Sequence, residues 1–277
     1  MLNSFANTLH HYHCGGSVVF DLGVPIERVL HDNLHSQLLG TGKSANGSAI
    51  VFLAESGFWG SWPSGLYADA LETALRKAHK HFLCWKKENK FDASQPRFTP
   101  SRLSRTTRVH YPSLSSKGHP SKVIAFWITQ CCLEHADREG ATRLDKMVAT
   151  CMHAYASALQ TMKVSDLVMT EDQAIKYYKS VMIHLQTFAA LHKLSRDARG
   201  KEVNRTSWKL LCKHHHFYHH AKITLVERIN PAVTQLLCAE DWVGRLGRIA
   251  RATHKANLSL RTLERYLALL HLELSRL

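Results

Sequence analysis

The chain predicts an α/β protein that is strongly α-rich. Three observations lead there. Apolar residues recur at helical spacing over most of the chain beyond position 121. The stretch 66–87 sets Leu71, Leu75, Ala78 and Phe82 on one helical face. The run Ser17-Val18-Val19-Phe20-Asp21-Leu22 has strand character and is closed by Gly23 and Pro25.

Residues 1–16 are polar and rich in histidine, and are expected to be disordered or an edge segment. After the strand, Ile26 to Leu30 forms a second short apolar run that ends at Asp32. A helix is expected from Leu34 to Ala54, weakened by Gly40, Gly42 and Gly47 at a cost of about 1 kcal/mol each. The segment 57–65, with Trp59, Trp62 and Pro63, reads as a loop. Residues 88–121 hold Pro96, Pro100, Pro112 and Pro120 with many Ser and Arg and little periodicity, so they read as a linker. Further helices are expected over 121–136, 141–163, 170–196, 205–227, 240–254 and 259–277. Thr170-Glu171-Asp172 and Ser259 suit helix starts, and Asn230-Pro231 breaks the helix before it. No fixed-period repeat occurs.

With 277 residues the chain can bury a sizeable core. Its 36 Lys and Arg against 22 Asp and Glu give a net charge of +14, and the basic residues gather near the C-terminal motifs. That is an electrostatic footprint for a polyanion, most simply DNA. Seven cysteines, an odd number without a CxxC pair, read as reduced thiols of a nuclear or cytoplasmic protein. No apolar run approaches about 18 residues, so no membrane partner is expected.

The chemistry-bearing residues fall into three groups. Asp32-Asn33-Leu34-His35 ends an apolar run and opens a helix, so Asp32 can project into a cleft or cap the helix, with His35 one turn on to orient it. Lys213-His214-His215, with His219 four residues on, opens a His-rich helix. Its i, i+4 pairs, His215/His219 and His216/His220, have a zinc-chelating spacing, but no Glu follows as in HExxH and no Cys pair completes a site. Glu240-Asp241-Trp242-Val243-Gly244 begins a basic helix. At 100° per residue Trp242, Leu246, Ile249 and Ala250 share one face, and Glu240, Gly244, Gly247 and Arg251 the opposite one. Glycines on that stripe let a metal or a phosphodiester backbone approach. Arg245 and Arg248 flank it and can meet phosphates. Gly40-Thr41-Gly42-Lys43-Ser44 resembles the end of a phosphate-binding loop, but position 37 is Gln where that pattern needs Gly. His10, His11, His13 and Cys14 could bind metal adventitiously.

The order of these motifs, with a long helical stretch between them, resembles the C-terminal half of DDE-type transposases of the CACTA and Kyakuja–Dileera–Zisupton kind. The resemblance covers roughly residues 17–255. It implies a partial ribonuclease H-like core with a large all-α insertion: 17–65 as the first part of the core, 66–205 as the insertion, and 206–277 as the helices carrying the last Glu. It implies DNA cleavage and strand transfer with Mg²⁺ or Mn²⁺, Asp32 and Glu240 as metal carboxylates, and His35 as an orienting group. Lys213, His215 and His219 would touch phosphate, with Arg245, Arg248 and Arg251 beside them. The two acids are expected to face one cleft within about 10 Å. The family's first catalytic Asp should lie N-terminal to where this chain begins, and Asp21-Leu22-Gly23 does not match that motif. The expectation is therefore a truncated or inactive transposase-like DNA-binding protein, with weak metal binding and homo-oligomerisation allowed. Two alternatives stand beside it: a helical nucleic-acid-binding module without catalysis, and a helical protein-interaction domain.

Overall fold

The computed structural model describes residues 32–197, 206–253 and 255–275, with backbone only at 197, 237–241, 273 and 274. Eight α-helices are described: α1 (Gly42–Glu55), α2 (Tyr67–Glu88), α3 (Gly118–Asp137), α4 (Arg143–Val164), α5 (Glu171–Asp197), α6 (Cys212–Glu227), α7 (Leu237–Arg251) and α8 (Leu258–Leu274). A π-helix, Leu34–Thr41, runs directly into α1, and a 3₁₀ turn, Pro231–Thr234, precedes α7. The α-rich half of the expectation therefore holds. Among the described residues no sheet forms, and the only strand-like pairing is the bridge Val168–Ile229. The expected strand at 17–22 lies outside the described residues. No described helix is long and apolar enough to cross a membrane.

The helix α1 organises the core, and its composition says why. Nine of its first ten positions are buried, in a run rich in Gly, Ser, Ala and Asn that no amphipathic pattern would single out. Small side chains let neighbouring backbones come close on every side. A Cβ at Gly42 would overlap the Tyr155 hydroxyl of α4. One at Gly47 would lie 2.9 Å from the Leu114 nitrogen. The polar residues between bond to whatever crosses them. Asn46 donates to the Ser121 carbonyl at 3.0 Å, Ser44 to the Lys209 carbonyl at 3.2 Å, and Ser48 accepts from the Trp208 N–H at 3.0 Å. The glycines that weaken the helix in isolation are thus the points of closest packing.

The helices α2, α3 and α4 pack on α1, α5 packs against α4 and α6, and α6 closes on the π-helix; Leu71, Leu75, Ala78 and Phe82 of α2 are all buried. At about 25 cal/mol per Å² of apolar area, such all-round burial outweighs the local cost of the glycines. The α4 start is fixed by a capping box, Thr142 with Asp145.

The segment 89–117, expected as a linker, has no helix but is packed. Phe98, Leu103 and Leu114 are buried in the same core, and Leu114 donates to the Lys43 carbonyl at 3.0 Å. Arg105, fully buried, holds the segment down. Its Nε donates to the Tyr67 hydroxyl at 2.9 Å, its Nη1 to the carbonyls of Arg108, His110 and Thr206, and its Nη2 lies 3.5 Å from Glu55. Composition gives no sign of this, because the anchors are aperiodic and the burial of Arg105 depends on Tyr67, Glu55 and Thr206, which other segments contribute. The helix expected over 205–227 starts later, at Cys212, because 206–211 crosses α1 without helical structure, with Trp208 at φ 59°, and supplies the Trp208 and Lys209 contacts.

Candidate nucleic-acid interface

Asp32 stands immediately before the π-helix, and its carboxylate is fully engaged. Oδ1 accepts from the N–H of Leu34 at 2.8 Å and from the N–H of Leu236 at 3.1 Å. Oδ2 accepts from the N–H of His35 at 3.2 Å and pairs with Nδ1 of the His35 ring. Burial pushes the carboxyl upward, but the bonds from His35, Leu236 and Leu34 together outweigh it and hold Asp32 below its usual range. It is ionised and caps the π-helix, and the His35 ring pairs with it.

Leu236 is placed by the turn before it. Arg228 ends α6 in the left-handed conformation. Asn230 then donates to the carbonyls of Met162 and Ser165, both at 3.0 Å, and accepts from Ala232 at 3.0 Å, clamping the turn to the end of α4. From there the chain enters α7, so Asp32 is tied to the foot of the helix that carries Glu240. The Glu240 side chain lies outside the described residues, and the expected cleft between the two acids rests on it.

The second motif is also nearby. The π-helix packs against α6, and the Lys213 stem lies over Gly40, where a Cβ would be 2.6 Å from Lys213 Cδ. Lys43 sits one turn beyond. Burial first, then the Lys213 charge, holds its ammonium below the usual lysine range. Sequence reasoning missed Lys43 as a partner of Lys213; the rejected Gly40-to-Ser44 pattern was the one signal for it. His215 and His219 are not part of this group. Two and six residues beyond Lys213, they fall on the opposite side of α6 and meet each other, Nε2 to Nε2 at 2.9 Å. His214 and His220 instead turn into the core.

Beyond the Asp32 tie, α7 and α8 pack together, with Trp242 edge-on to Tyr266 at 5.8 Å. Between them lies a cavity of about 810 Å³ lined by Arg245, Arg248 and Arg265, with Tyr266, Ile249 and Leu269. Arg245, Arg248 and Arg251 are all exposed. Arg265 and Tyr266 escaped the sequence reading because they belong to the partner helix. Gly244 and Gly247 behave unlike the core glycines. A Cβ at Gly247 would meet nothing within 4 Å, and one at Gly244 only the tip of Arg248 at 4.0 Å. Their stripe is open to an approaching partner.

Asp32 does not fit a Mg²⁺ ligand as it stands, since four hydrogen bonds already occupy its acceptor positions. Among the described residues no cluster of three or more His, Cys, Asp or Glu side chains could hold a metal ion. The arrangement is a groove of arginines over an aliphatic floor with one aromatic, Tyr266, beside an acid that serves as a tie. Comparison with protein-family models, curated proteins and solved structures finds no match.

Proposed function

We propose that the chain is a DNA-binding relative of DDE-type transposases that holds DNA without cutting it. The observation that carries the reading is the Leu236-to-Asp32 bond, which sets the first motif at the foot of the basic helix that carries the last one. Duplex DNA lies along the α7–α8 groove. Arg245, Arg248, Arg251 and Arg265 neutralise phosphates, and the glycine stripe lets the backbone come close. Lys43 and Lys213 extend the positive surface towards His35. The reading keeps a ribonuclease H-like ancestry for the core. It takes no step through Mg²⁺ or Mn²⁺, because Asp32 spends its lone pairs on the fold.

The test is binding of labelled duplex DNA by fluorescence anisotropy. Affinity is expected to fall steeply between about 50 and 200 mM salt, and changing Arg245, Arg248 and Arg251 to Ala to lower the salt slope by about 2–3. An unchanged slope rejects this groove as the interface. Wild-type cleavage of the duplex in Mg²⁺ or Mn²⁺, lost in Glu240→Gln, rejects the non-cutting role.

A second reading, a helical protein-interaction domain, draws on one feature. Leu260, Leu263 and Leu267 of α8 recur at coiled-coil spacing and are each more than half exposed, at 61, 53 and 52%. Sedimentation that changes with concentration, together with salt-independent or absent DNA binding, would favour it.

A further inference from the structure

The motif that the DNA-binding groove does not absorb is the outer face of α6. The helix buries His214, Phe217, His220, Ala221 and Thr224. His215 and His219, four residues apart, therefore stand one turn above the other on the remaining surface, His215 exposed and His219 partly so. Side chains at this spacing are neighbours, but nothing obliges their ring nitrogens to converge. Here they do. Nε2 of His215 and Nε2 of His219 are 2.9 Å apart, and the rings stand edge-on, with centroids at 4.4 Å and an interplanar angle of 88°.

Two imidazole nitrogens at this distance must share something positive, because two lone pairs facing each other repel. A proton serves, and so does a metal ion. A metal at about 2.0–2.1 Å from each nitrogen would see them at roughly 90°. A tetrahedral ion would need them about 3.3 Å apart at the same bond length. The observed separation thus suits the cis positions of a tetragonal or octahedral ion, which is the preference of Cu(II) and Ni(II). Imidazole is a good ligand for such ions and a poor one for Mg²⁺. The backbone of α6 fixes both ligands before the ion arrives, which lowers the entropic cost of chelation.

We propose that His215 and His219 form a two-nitrogen chelate for a divalent transition ion of the Cu(II) or Ni(II) type on the outer face of α6, with water in the remaining positions.

The experiment is calorimetric titration of the full chain with CuSO₄, NiSO₄ and ZnSO₄, each in a non-coordinating buffer. His219→Ala and the double variant His215→Ala/His219→Ala run alongside. Loss of an outer-sphere partner alone typically weakens a metal site by about 10–100-fold, so loss of a ligand is expected to remove one Cu(II) equivalent or weaken it by at least about tenfold. Affinity is expected to run Cu(II) above Ni(II) above Zn(II). His10, His11 and His13, which lie outside the described residues, are a competing source of binding. A variant with those three changed to Ala is expected to retain the equivalent that the α6 variants lose. Full Cu(II) binding by the double variant overturns the site, and Zn(II) bound more tightly than both others overturns its cis geometry. Neither substitution touches the buried face of α6. Circular dichroism of each variant confirms the fold, and His219→Gln serves in its place should His219→Ala unfold.

Discussion

The carboxylate of Asp32 accepts a hydrogen bond from the backbone N–H of Leu236, 204 positions along the chain, at 3.1 Å. The same group caps the π-helix that opens the core. One side chain therefore sets both the entry to the central helix and the start of the basic α7–α8 hairpin. Asp32→Ala is expected to cost about 1–2 kcal/mol, the usual loss for a helix cap, and to loosen the hairpin. The measurement is urea unfolding together with amide exchange at Leu236. Full protection of that amide in the variant would show that the turn at Asn230 holds the hairpin alone.

The Asp32 tie also has a pH signature. Its carboxyl titrates below the usual range in the folded chain. Its contribution is thus present above the unfolded-state pKa of about 3.9 and is lost as pH falls through the folded value. Asp32→Asn is expected to flatten the acid limb of the stability curve while leaving the limb above pH 7 parallel to wild type.

Two core histidines act at higher pH. Burial drives His184 down to about 4, with the His214 charge adding to it against the Cys151 bond. Burial likewise drives His214 to about 4, with the His192 charge adding to it against the Leu211 bond. Both are neutral in the folded chain at neutral pH. The unfolded chain takes up their protons first, near pH 6.5. Stability is expected to be complete above that pH and to fall steadily between about 6.5 and 4, by a few kcal/mol in all. Equilibrium unfolding at stepped pH checks this, and His184→Gln should shallow the slope.

Glycines in the two halves of the molecule should respond oppositely to the same change. Gly42→Ala is expected to destabilise strongly, because the Tyr155 hydroxyl occupies the space and itself bonds to the Gln37 carbonyl at 3.2 Å. Gly247→Ala meets nothing and should stabilise α7 by about 1 kcal/mol. If DNA approaches that stripe, Gly247→Ala also weakens DNA binding; unchanged affinity would place the DNA away from it.

Arg105 is expected to be the least replaceable charge in the fold. Arg105→Met takes the cation from buried Glu55 and one donor from each of the carbonyls of Arg108, His110 and Thr206, at a cost of about 3–5 kcal/mol for a broken buried pair. Arg105→Lys should recover little of it, because a single ammonium cannot span that set of acceptors. Thermal unfolding of the two variants separates charge from geometry.

Where periodicity carries the information, the sequence was readable. The α2 stripe of Leu71, Leu75, Ala78 and Phe82 and the helices that follow position 118, the late start of α6 apart, lie close to where spacing predicts them. Aperiodic burial was not legible. Phe98, Leu103 and Leu114 sit among prolines and serines that suggest a solvated linker, and the small residues of α1 hide an all-round buried helix. At the candidate site, Asp32 and His35 were legible as a unit. The Leu236 contact was not, because a backbone N–H has no sequence signature. The grouping of Lys213 with His215 and His219 also missed the helical phase that sets them on opposite sides of α6.

The small-residue helix α1 has a consequence for how the chain reaches this state. Glycines at 42 and 47 and a run of Ser and Asn give it little tendency to form unaided, and the polar contacts of its buried Ser and Asn side chains are long-range: 75 positions from Asn46 to Ser121, 160 from Ser48 to Trp208. A helix whose hydrogen bonds are local but whose reasons for existing are distant cannot act as a nucleus. It has to be assembled around, with loop closure completed before its burial repays the cost. Folding should accordingly be slow for so helical a protein, and α1 should be among the last helices to gain protection.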